Sequence, residues 1–539
     1  MRERNEFLLA DLIEIRAEQK PDLDVLTFEH YSLDGCATPD EVRTYADLHT
    51  NAHRIAAYLI ARGMSKGDRF AIMMRNHPEF VEAVIAASIT GCVFVPIDPR
   101  TRGEKLAFLL RNSGSRGVVC ADYAAAQLAA ARDQTPDLQW TLMLESGEGD
   151  ATAGARDVGA DVLAEVLSTP CETVGVRDVT LSDPLQIIYT SGTTGDPKGI
   201  VGDNLRFGGT GMLGGIFGYQ DDERSYTGLS FAHNNAQATA LAPALMSGYR
   251  AVFSRRFTKS KLWEICRRYG CTSFALVGGM ATAIYSEPPR ADDADNPVRL
   301  VVSGGMPAAI WEAFEERFDL KIFEFYGASD GGGMAYKPVG QGPVGSFGKP
   351  MAGMVMKILD KDGNECAPGV VGEICCRPES GDAAVEYHDN PEASRKKIKG
   401  GWNRSGDMGH CDEEGWLYFD YRVGGGIRHN GDFVNPSFVE KVIAEDPQIC
   451  DVFVYGVPAA SGAPGEKDIV AAVIPTDVGS FDPRAVFDHC RAGLEPNFVP
   501  GYLQVVDTIP KTASEKPQER LLLERFSPDA DDVHAAPRA

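Results

Sequence analysis

Between Tyr189 and Gly199 the chain reads Tyr-Thr-Ser-Gly-Thr-Thr-Gly-Asp-Pro-Lys-Gly. The hydroxyls of Thr190, Ser191, Thr193 and Thr194, with Gly192 and Gly195 among them, follow directly on an apolar run, 185–189, that reads as a short strand. Glycines let backbone N–H groups converge on an anion, hydroxyls add donors, and Lys198 adds a positive charge. The segment therefore reads as a phosphate-binding loop. It is not a Walker loop, which needs Gly-Lys-Ser/Thr, because Lys198 lies between Pro197 and Gly199. A second glycine pattern, Gly209-Thr-Gly211-Met-Leu-Gly214, fits GxGxxG but follows no apolar strand, and reads as a glycine-rich helix or turn.

A loop of this kind needs a frame, and 539 residues are enough for two or more domains. Hydrophobic residues make up 43% and charged residues 24%, as in globular proteins. The formal charge is −24, from 53 Lys plus Arg against 77 Asp plus Glu. Such a surface repels phosphate backbones and argues against nucleic-acid binding, so a nucleotide site must be built locally from amides, a few cations and a metal ion. The 12 cysteines are scattered without a CxxC pattern. They read as reduced thiols of a cytoplasmic protein and not as zinc ligands. The N-terminus carries acids among its apolar positions and reads as an amphipathic helix, not a signal peptide. The apolar stretch 83–97 is too short to span a bilayer.

Helical and strand patterns alternate along the chain, which predicts layered α/β structure. Residues 45–62 read as a helix, and 69–73 and 93–96 as buried strands. Residues 147–178 read as a surface connection. From about Asn435 the pattern becomes helix, strand, strand, helix, strand. Asn435-Pro436 and Asp482-Pro483 supply N-caps, and strands are expected at 452–457, 469–474 and 503–506. This reads as a small separate α+β domain, and the final dozen residues as a disordered polar tail.

The loop at 189–199 resembles the signature of the adenylate-forming (AMP-binding) superfamily, which includes acyl-CoA synthetases, peptide-synthetase adenylation domains and beetle luciferases. The resemblance covers nearly the whole chain. Residues 44–100 resemble the family's first subdomain, with TYADL, GDRFAIMMRN and VFVPIDPR; 303–307 (SGGMP) its adenine-contacting turn; 325–330 (FYGASD) its YGxTE motif; and 404–407 (RSGD) its TGD motif. It implies a large N-terminal adenylate-forming domain, 1–422, of layered sheets and helices, a small mobile α+β domain, 423–527, and a tail, 528–539.

Roles follow from the resemblance, residue by residue. Thr190 to Gly195 and Lys198 would hold the phosphates of ATP, with Thr190 and Lys198 also catalytic. Gly304, Gly305 and Gly327 would border the adenine, with Tyr326 against its face. Ser329 would donate to the α-phosphate and Asp330 would hold Mg²⁺, a hard cation that wants oxygen ligands. Asp407 would accept from both ribose hydroxyls, and Arg422 would contact the ribose or phosphate. Lys516 matches the lysine near the family's C-terminus, a cation that stabilises charge present only in the transition state. Lys511 is out of register with it. Gly424, in Gly424-Gly425-Gly426, occupies the family's hinge. The loop with Asn430 and Gly431 would meet the pantetheine arm of coenzyme A.

The chain departs from the family's usual residues in several places. Ser329-Asp330 replaces Thr-Glu, shortening the carboxylate's reach, and Glu515-Lys516 replaces Gly-Lys, so that a carboxylate could pair with the lysine in one conformation. The expected acyl pocket includes Phe231, His233, Asn234, Val277, Gly278, Gly279, Ala328 and Gly331 to Gly333. Its many glycines favour a bulky or long acid, its polar wall at 233–235 a small polar one, and carnitine-type and crotonobetaine-type ligases share the layout. The expected activity is ATP-dependent formation of an acyl-AMP followed by transfer to coenzyme A, with a stand-alone enzyme that loads a carrier protein as the alternative. The expected partners are a carboxylic acid and coenzyme A, with a homodimer left open and no nucleic acid or membrane span.

Overall fold

The computed structural model describes residues 3–33, 39–148, 154–189, 197–277, 279–331, 333–422, 427–429, 432–434, 436–460, 467–494, 496–512 and 515–537. The chain forms two compact units. The first comprises Met1–Ala275, Asp292–Val302 and Val385–Lys396; the second comprises Leu276–Ala291, Ser303–Ala384 and Lys397–Ala539.

In the first unit a seven-stranded sheet runs in the order 161–162, 140–144, 115–121, 69–73, 93–96, 184–189, 199–203. Its strands are parallel except for the last pair, Pro184–Tyr189 against Gly199–Asp203. The expected strands 69–73 and 93–96 are found residue for residue. They lie inside a parallel sheet, which is why they read as unbroken apolar runs. Ala71, Val95, Leu106, Leu110 and Val118 belong to the core beside them. The expected helix is Tyr45–Ala61, started by a reciprocal bond in which Thr44 Oγ1 accepts from the Asp47 N–H and the Asp47 carboxylate accepts from the Thr44 N–H. The expected surface connection at 147–178 is more ordered than its composition suggests: it holds the edge strand Asp161–Val162 and the helix Leu163–Ser168. The decoy glycines 209–214 fall in the helices Asn204–Gly211 and Leu213–Phe217, as read. Among the described residues no helix is long and apolar enough to cross a membrane.

A second sheet in this unit pairs Arg224–Thr227 with Arg250–Phe253, then Asp24–Phe28 in parallel, then Glu41–Thr44 antiparallel. Phe231 packs among Phe28, Phe80 and Phe253, with ring centroids 4.8–6.3 Å away. It is fully buried. The expectation that Phe231 lines an acyl pocket is therefore corrected: its ring belongs to the aromatic core.

The second unit contains a five-stranded antiparallel sheet built on Met354–Leu359, Gly372–Pro378, Trp402–Cys411, Ile398–Lys399 and Leu417–Arg422. It also contains a hairpin in which Lys321–Gly327 pairs with Met334–Lys337. Further along, Ile449–Pro458, Lys467–Pro475 and Tyr502–Val505 form a sheet with the helices Pro436–Ala444 and Pro483–Gly493. Asp482 caps the second helix by accepting from the Arg484 N–H. Val439, Ile443, Val454, Ile469, Phe487 and Leu503 fill the core of this α+β region. The expected disordered tail is corrected in part: Val533–Ala535 is a strand paired antiparallel with Tyr502–Val505, where backbone bonds to an open sheet edge outweigh a polar composition.

Near the C-terminus a tight loop presents Lys516. The Thr512 N–H donates to the Lys516 carbonyl at 2.7 Å, Lys511 pairs with Pro517 across the loop, and the Lys511 ammonium sits 2.9 Å from Asp451. Lys511 thus anchors the loop. Glu515 adopts φ 58°, the left-handed region, which a side chain enters at a cost of about 1 kcal/mol. Glu515→Gly should relieve this strain and raise the thermal midpoint by about 1–2 °C. Glu515→Ala keeps the Cβ and should give no such gain. Equal gains in calorimetry would assign the effect to the carboxylate and not to the backbone.

Candidate functional site

The geometry of the second unit converges on Asp407. Trp402–Cys411 and Leu417–Arg422 are antiparallel, and their register sets Asp407 directly opposite Arg422. Facing side chains at such a position meet. Arg422 forms a two-point ion pair with the carboxylate, Nε to Oδ1 at 2.6 Å and Nη2 to Oδ2 at 3.1 Å. The Tyr326 hydroxyl donates to Oδ2 at 2.7 Å. Asp407 is only 2% exposed, so these three bonds compensate the loss of water. Tyr326 comes from the end of the strand Lys321–Gly327, and its ring stacks on Phe347 with centroids 4.7 Å apart. Its hydroxyl is held well above the ordinary tyrosine range by burial and by the Asp407 charge.

Lys516 lies close enough to this pair to feel both members. Crowding by protein and the Arg422 charge push its ammonium pKa down, while Asp407 pushes it up. Its side chain nevertheless remains exposed. The structure thus brings Tyr326, Asp407 and Arg422 into direct contact, three residues that sequence motifs alone had placed in one site, with Lys516 within reach of the charges of the last two.

Asp330 has a cation of its own. The Lys397 ammonium is 2.7 Å from Asp330 Oδ2, each side chain being 14% exposed, and it also donates to the Ser405 carbonyl at 3.2 Å. The Asn403 amide holds the Asp330 carbonyl at 3.0 Å. The Asp330 carboxylate offers oxygen ligands of the kind Mg²⁺ takes, which is commonly bound by one or two carboxylates together with substrate phosphates, and Lys397 competes for them. Among the described residues the group with metal-ligand spacing is elsewhere, at Glu14, His49 and His53. There the Val174 N–H donates to His53 Nδ1 at 3.1 Å, which commits the proton of the neutral ring to Nε2 and removes its lone pair.

Four positioning residues were not singled out by the sequence motifs. Glu324 is buried and accepts from the Gly305 N–H at 2.5 Å and the Met306 N–H at 3.1 Å, which shapes the turn after Gly304. Glu373 accepts from Arg404 Nε at 2.6 Å and from the Gly406 N–H at 2.9 Å, and so holds the strand at the register shift before Asp407. Asn76, fully buried, donates to the Leu229 and Ser254 carbonyls and accepts from the Phe231 N–H, fixing the loop that leads to His233. Lys397 is the fourth. Asn76 ends the quoted GDRFAIMMRN segment, which was the one available signal.

The remaining expected residues divide between the units. In the first, Lys198 lies 5.3 Å over the Tyr387 ring, and His233 and Asn234 are half-buried at the start of a short helix. In the second, Val277 ends a strand, Gly279 opens the helix Gly279–Tyr285, and Ala328 and Ser329 follow the Tyr326 strand. Gly331 and Gly333 have φ +79° and +76°, so a turn requires them. That weakens the argument from glycines to a large pocket. A Cβ on Gly304 would meet only Phe325, at 3.9 Å, which leaves room there. Thr190 to Gly195, Gly278, Gly332, Gly424 to Gly426, Asn430 and Gly431 lie outside the described residues.

Comparison with known proteins identifies the class. The AMP-binding enzyme family matches residues 13–381, and the AMP-binding enzyme C-terminal domain matches residues 439–516. The chain belongs to the AMP-binding enzyme family. Among curated relatives, the crotonobetaine/carnitine–CoA ligase of Proteus mirabilis (strain HI4320) is 27% identical over 481 residues, covering 88% of this chain and 91% of the relative. Among solved structures, an anthranilate CoA ligase in complex with anthranoyl-AMP matches with a TM-score of 0.83 at 21% identity, covering 96% of each chain. The o-succinylbenzoate CoA synthetase of Bacillus subtilis, in complex with ATP and magnesium ion, matches with a TM-score of 0.73 at 23% identity, covering 94% of this chain and 98% of that one. The fold class is therefore that of these ligases, as the motifs implied.

Burial gives the site a pH signature. Burial raises Glu324 from the ordinary 4.5 to about 7. Between these values the folded protein keeps a proton that the unfolded chain releases, so stability falls as pH rises through this window. Glu324→Gln removes that slope, at a constant cost of about 1 kcal/mol for one lost N–H acceptor. Thermal midpoints measured from pH 5 to pH 8 should fall in the wild type and not in the variant, so that the variant, no more stable at pH 5, is the more stable by pH 8. A gap independent of pH would show that Glu324 does not carry the proton.

Proposed function

We propose that this chain activates a carboxylic acid with ATP to an acyl-AMP, releasing pyrophosphate, and then passes the acyl group to the thiol of coenzyme A. The observation that carries the reading is the contact of both Tyr326 and Arg422 with the buried Asp407, in a chain that belongs to the AMP-binding enzyme family. In this reading the adenine lies against Tyr326, bordered by Gly304, Gly305 and Gly327. The ribose hydroxyls bond to Asp407, which has one lone-pair site beyond the three donors it now holds and regains two more as Arg422 leaves it. Arg422 then turns towards ribose or phosphate. The loop at 190–195 and Lys198 take the β- and γ-phosphates, and Ser329 the α-phosphate. Mg²⁺ at Asp330 would neutralise phosphate charge.

The substrate carboxylate oxygen attacks the α-phosphorus, and the bond to pyrophosphate breaks. Lys516 stabilises the negative charge gathered there in passage. In the second half-reaction the thiolate sulfur attacks the acyl carbonyl and AMP departs. Lys516 has no role in that step, so the segment beyond a hinge at Gly424, the domain 423–527, turns to bring the loop of Asn430 and Gly431 to the pantetheine arm. Val277, Gly278, Gly279, Ala328 and Gly331, with His233 and Asn234, line the acyl side in this reading. The relatives' names make carnitine-like and aromatic acids the first to try. The twelve scattered cysteines suit a cytoplasmic location.

The direct test offers ATP, Mg²⁺, coenzyme A and a panel of carboxylic acids and looks for thioesters by mass spectrometry. At least one acid should give acyl-CoA with stoichiometric AMP. Pyrophosphate release with acyl-AMP accumulating and no thioester would reject the coenzyme A step.

Lys516→Ala should slow acyl-AMP formation by about 10²–10³-fold, the usual effect of removing one transition-state charge partner. It should leave thioester formation from synthetic acyl-AMP within about threefold of wild type. Because Lys511 anchors the loop through Asp451, Lys511→Ala should lower adenylation by about tenfold at most. Equal damage to both half-reactions by Lys516→Ala would remove the lysine from the chemistry.

A further inference from the structure

Lys397 is absorbed by none of the motif-derived roles. It ends the helix Pro391–Lys397, and its ammonium is directed at Asp330 Oδ2, 2.7 Å away, with the Ser405 carbonyl at 3.2 Å as a second acceptor. Both side chains are largely withdrawn from water, at 14% exposure each. An ion pair so placed is screened far less than a surface pair. Asp330 is also fixed from behind through the Asn403 amide on its carbonyl. Arg422 is a further cation whose charge reaches Asp330, but its bonds are to Asp407.

We propose that Lys397 is a positioning residue of the phosphate site, a tethered cation that holds the Asp330 carboxylate and sets how strongly nucleotide binding depends on the divalent metal. The proposal rests on the reading of Asp330 as part of an ATP site. Its physical basis is charge balance. A triphosphate brought beside a bare aspartate meets repulsion in a partly desolvated place, and only a metal ion relieves it. With the ammonium already on the carboxylate, part of that repulsion is cancelled before any metal arrives. The same ammonium competes with a metal for the carboxylate oxygens. Removing it should therefore penalise metal-free nucleotide and leave metal-bound nucleotide almost untouched.

The test measures ATP binding by isothermal titration calorimetry, with no carboxylic acid present, once in EDTA and once in saturating Mg²⁺. Lys397→Met should weaken binding in EDTA at least tenfold and change binding in Mg²⁺ by less than threefold. Lys397→Arg, which keeps the charge, should restore most of the affinity in EDTA. Asp330→Asn removes the repulsion at its source, so the Asp330→Asn, Lys397→Met double variant should recover most of the affinity in EDTA that Lys397→Met alone loses. Circular dichroism melts check that each variant folds. A Lys397→Met defect of equal size in EDTA and in Mg²⁺, or a double variant that binds in EDTA as poorly as Lys397→Met alone, would overturn the proposal. Failure of the unsubstituted enzyme to bind ATP in either condition would overturn the nucleotide-site reading itself, and this inference with it.

Discussion

A carboxylate buried as deeply as Asp407 survives only if its charge is met by donors, and the site is arranged around that requirement. Three donors meet it: both ends of the Arg422 fork and the Tyr326 hydroxyl. They arrive on separate elements. The antiparallel register brings Arg422, the hairpin at 321–337 brings Tyr326, and Glu373 holds the strand at the register shift that precedes Asp407. Removing one partner of such a group leaves an uncompensated buried charge, which is worse than never having built the pair. The register of two strands and the end of a third are thus tied together through one side chain.

The overall charge makes this local arrangement necessary. A chain of net charge −24 has no general attraction for a triphosphate. Its described site instead pairs acids with resident cations, Asp407 with Arg422 and Asp330 with Lys397. In the proposed reading a ligand rich in negative oxygen exchanges partners with these pairs. Desolvation has then been met largely by folding, before the ligand binds, so the groups are oriented and cost little to reorganise.

What the sequence revealed and what it hid follow from the range of each interaction. Strands 69–73 and 93–96 were legible because burial on both faces leaves an unbroken apolar run. Asp407, Tyr326, Arg422 and Lys516 were legible only through motifs, since nothing in their own spacing brings residues so far apart together. Glu324, Glu373 and Lys397 were not legible, because a lone charge in sequence is indistinguishable from a solvated one until a backbone N–H or a carboxylate is seen beside it. The strand Val533–Ala535 was hidden for the opposite reason: its stability comes from the open edge of Tyr502–Val505 and not from its own residues. Phe231 was misassigned because adjacency to His233 says nothing about which way a ring points.

Lys516 differs from the other two cations in a way that suits a residue with a single step to perform. Arg422 and Lys397 each hold a carboxylate at ion-pair distance, whereas the surroundings of Lys516 work against its charge through crowding and through Arg422. In the proposed cycle an arriving triphosphate supplies the missing negative charge and stabilises the lysine where it is. Departure of pyrophosphate removes most of that charge while Arg422 remains. The two paired cations can fall back on their aspartates, but Lys516 has the weaker claim on Asp407. In that cycle the departure of pyrophosphate costs Lys516 a partner, whereas Arg422 and Lys397 keep the carboxylates that folding gave them.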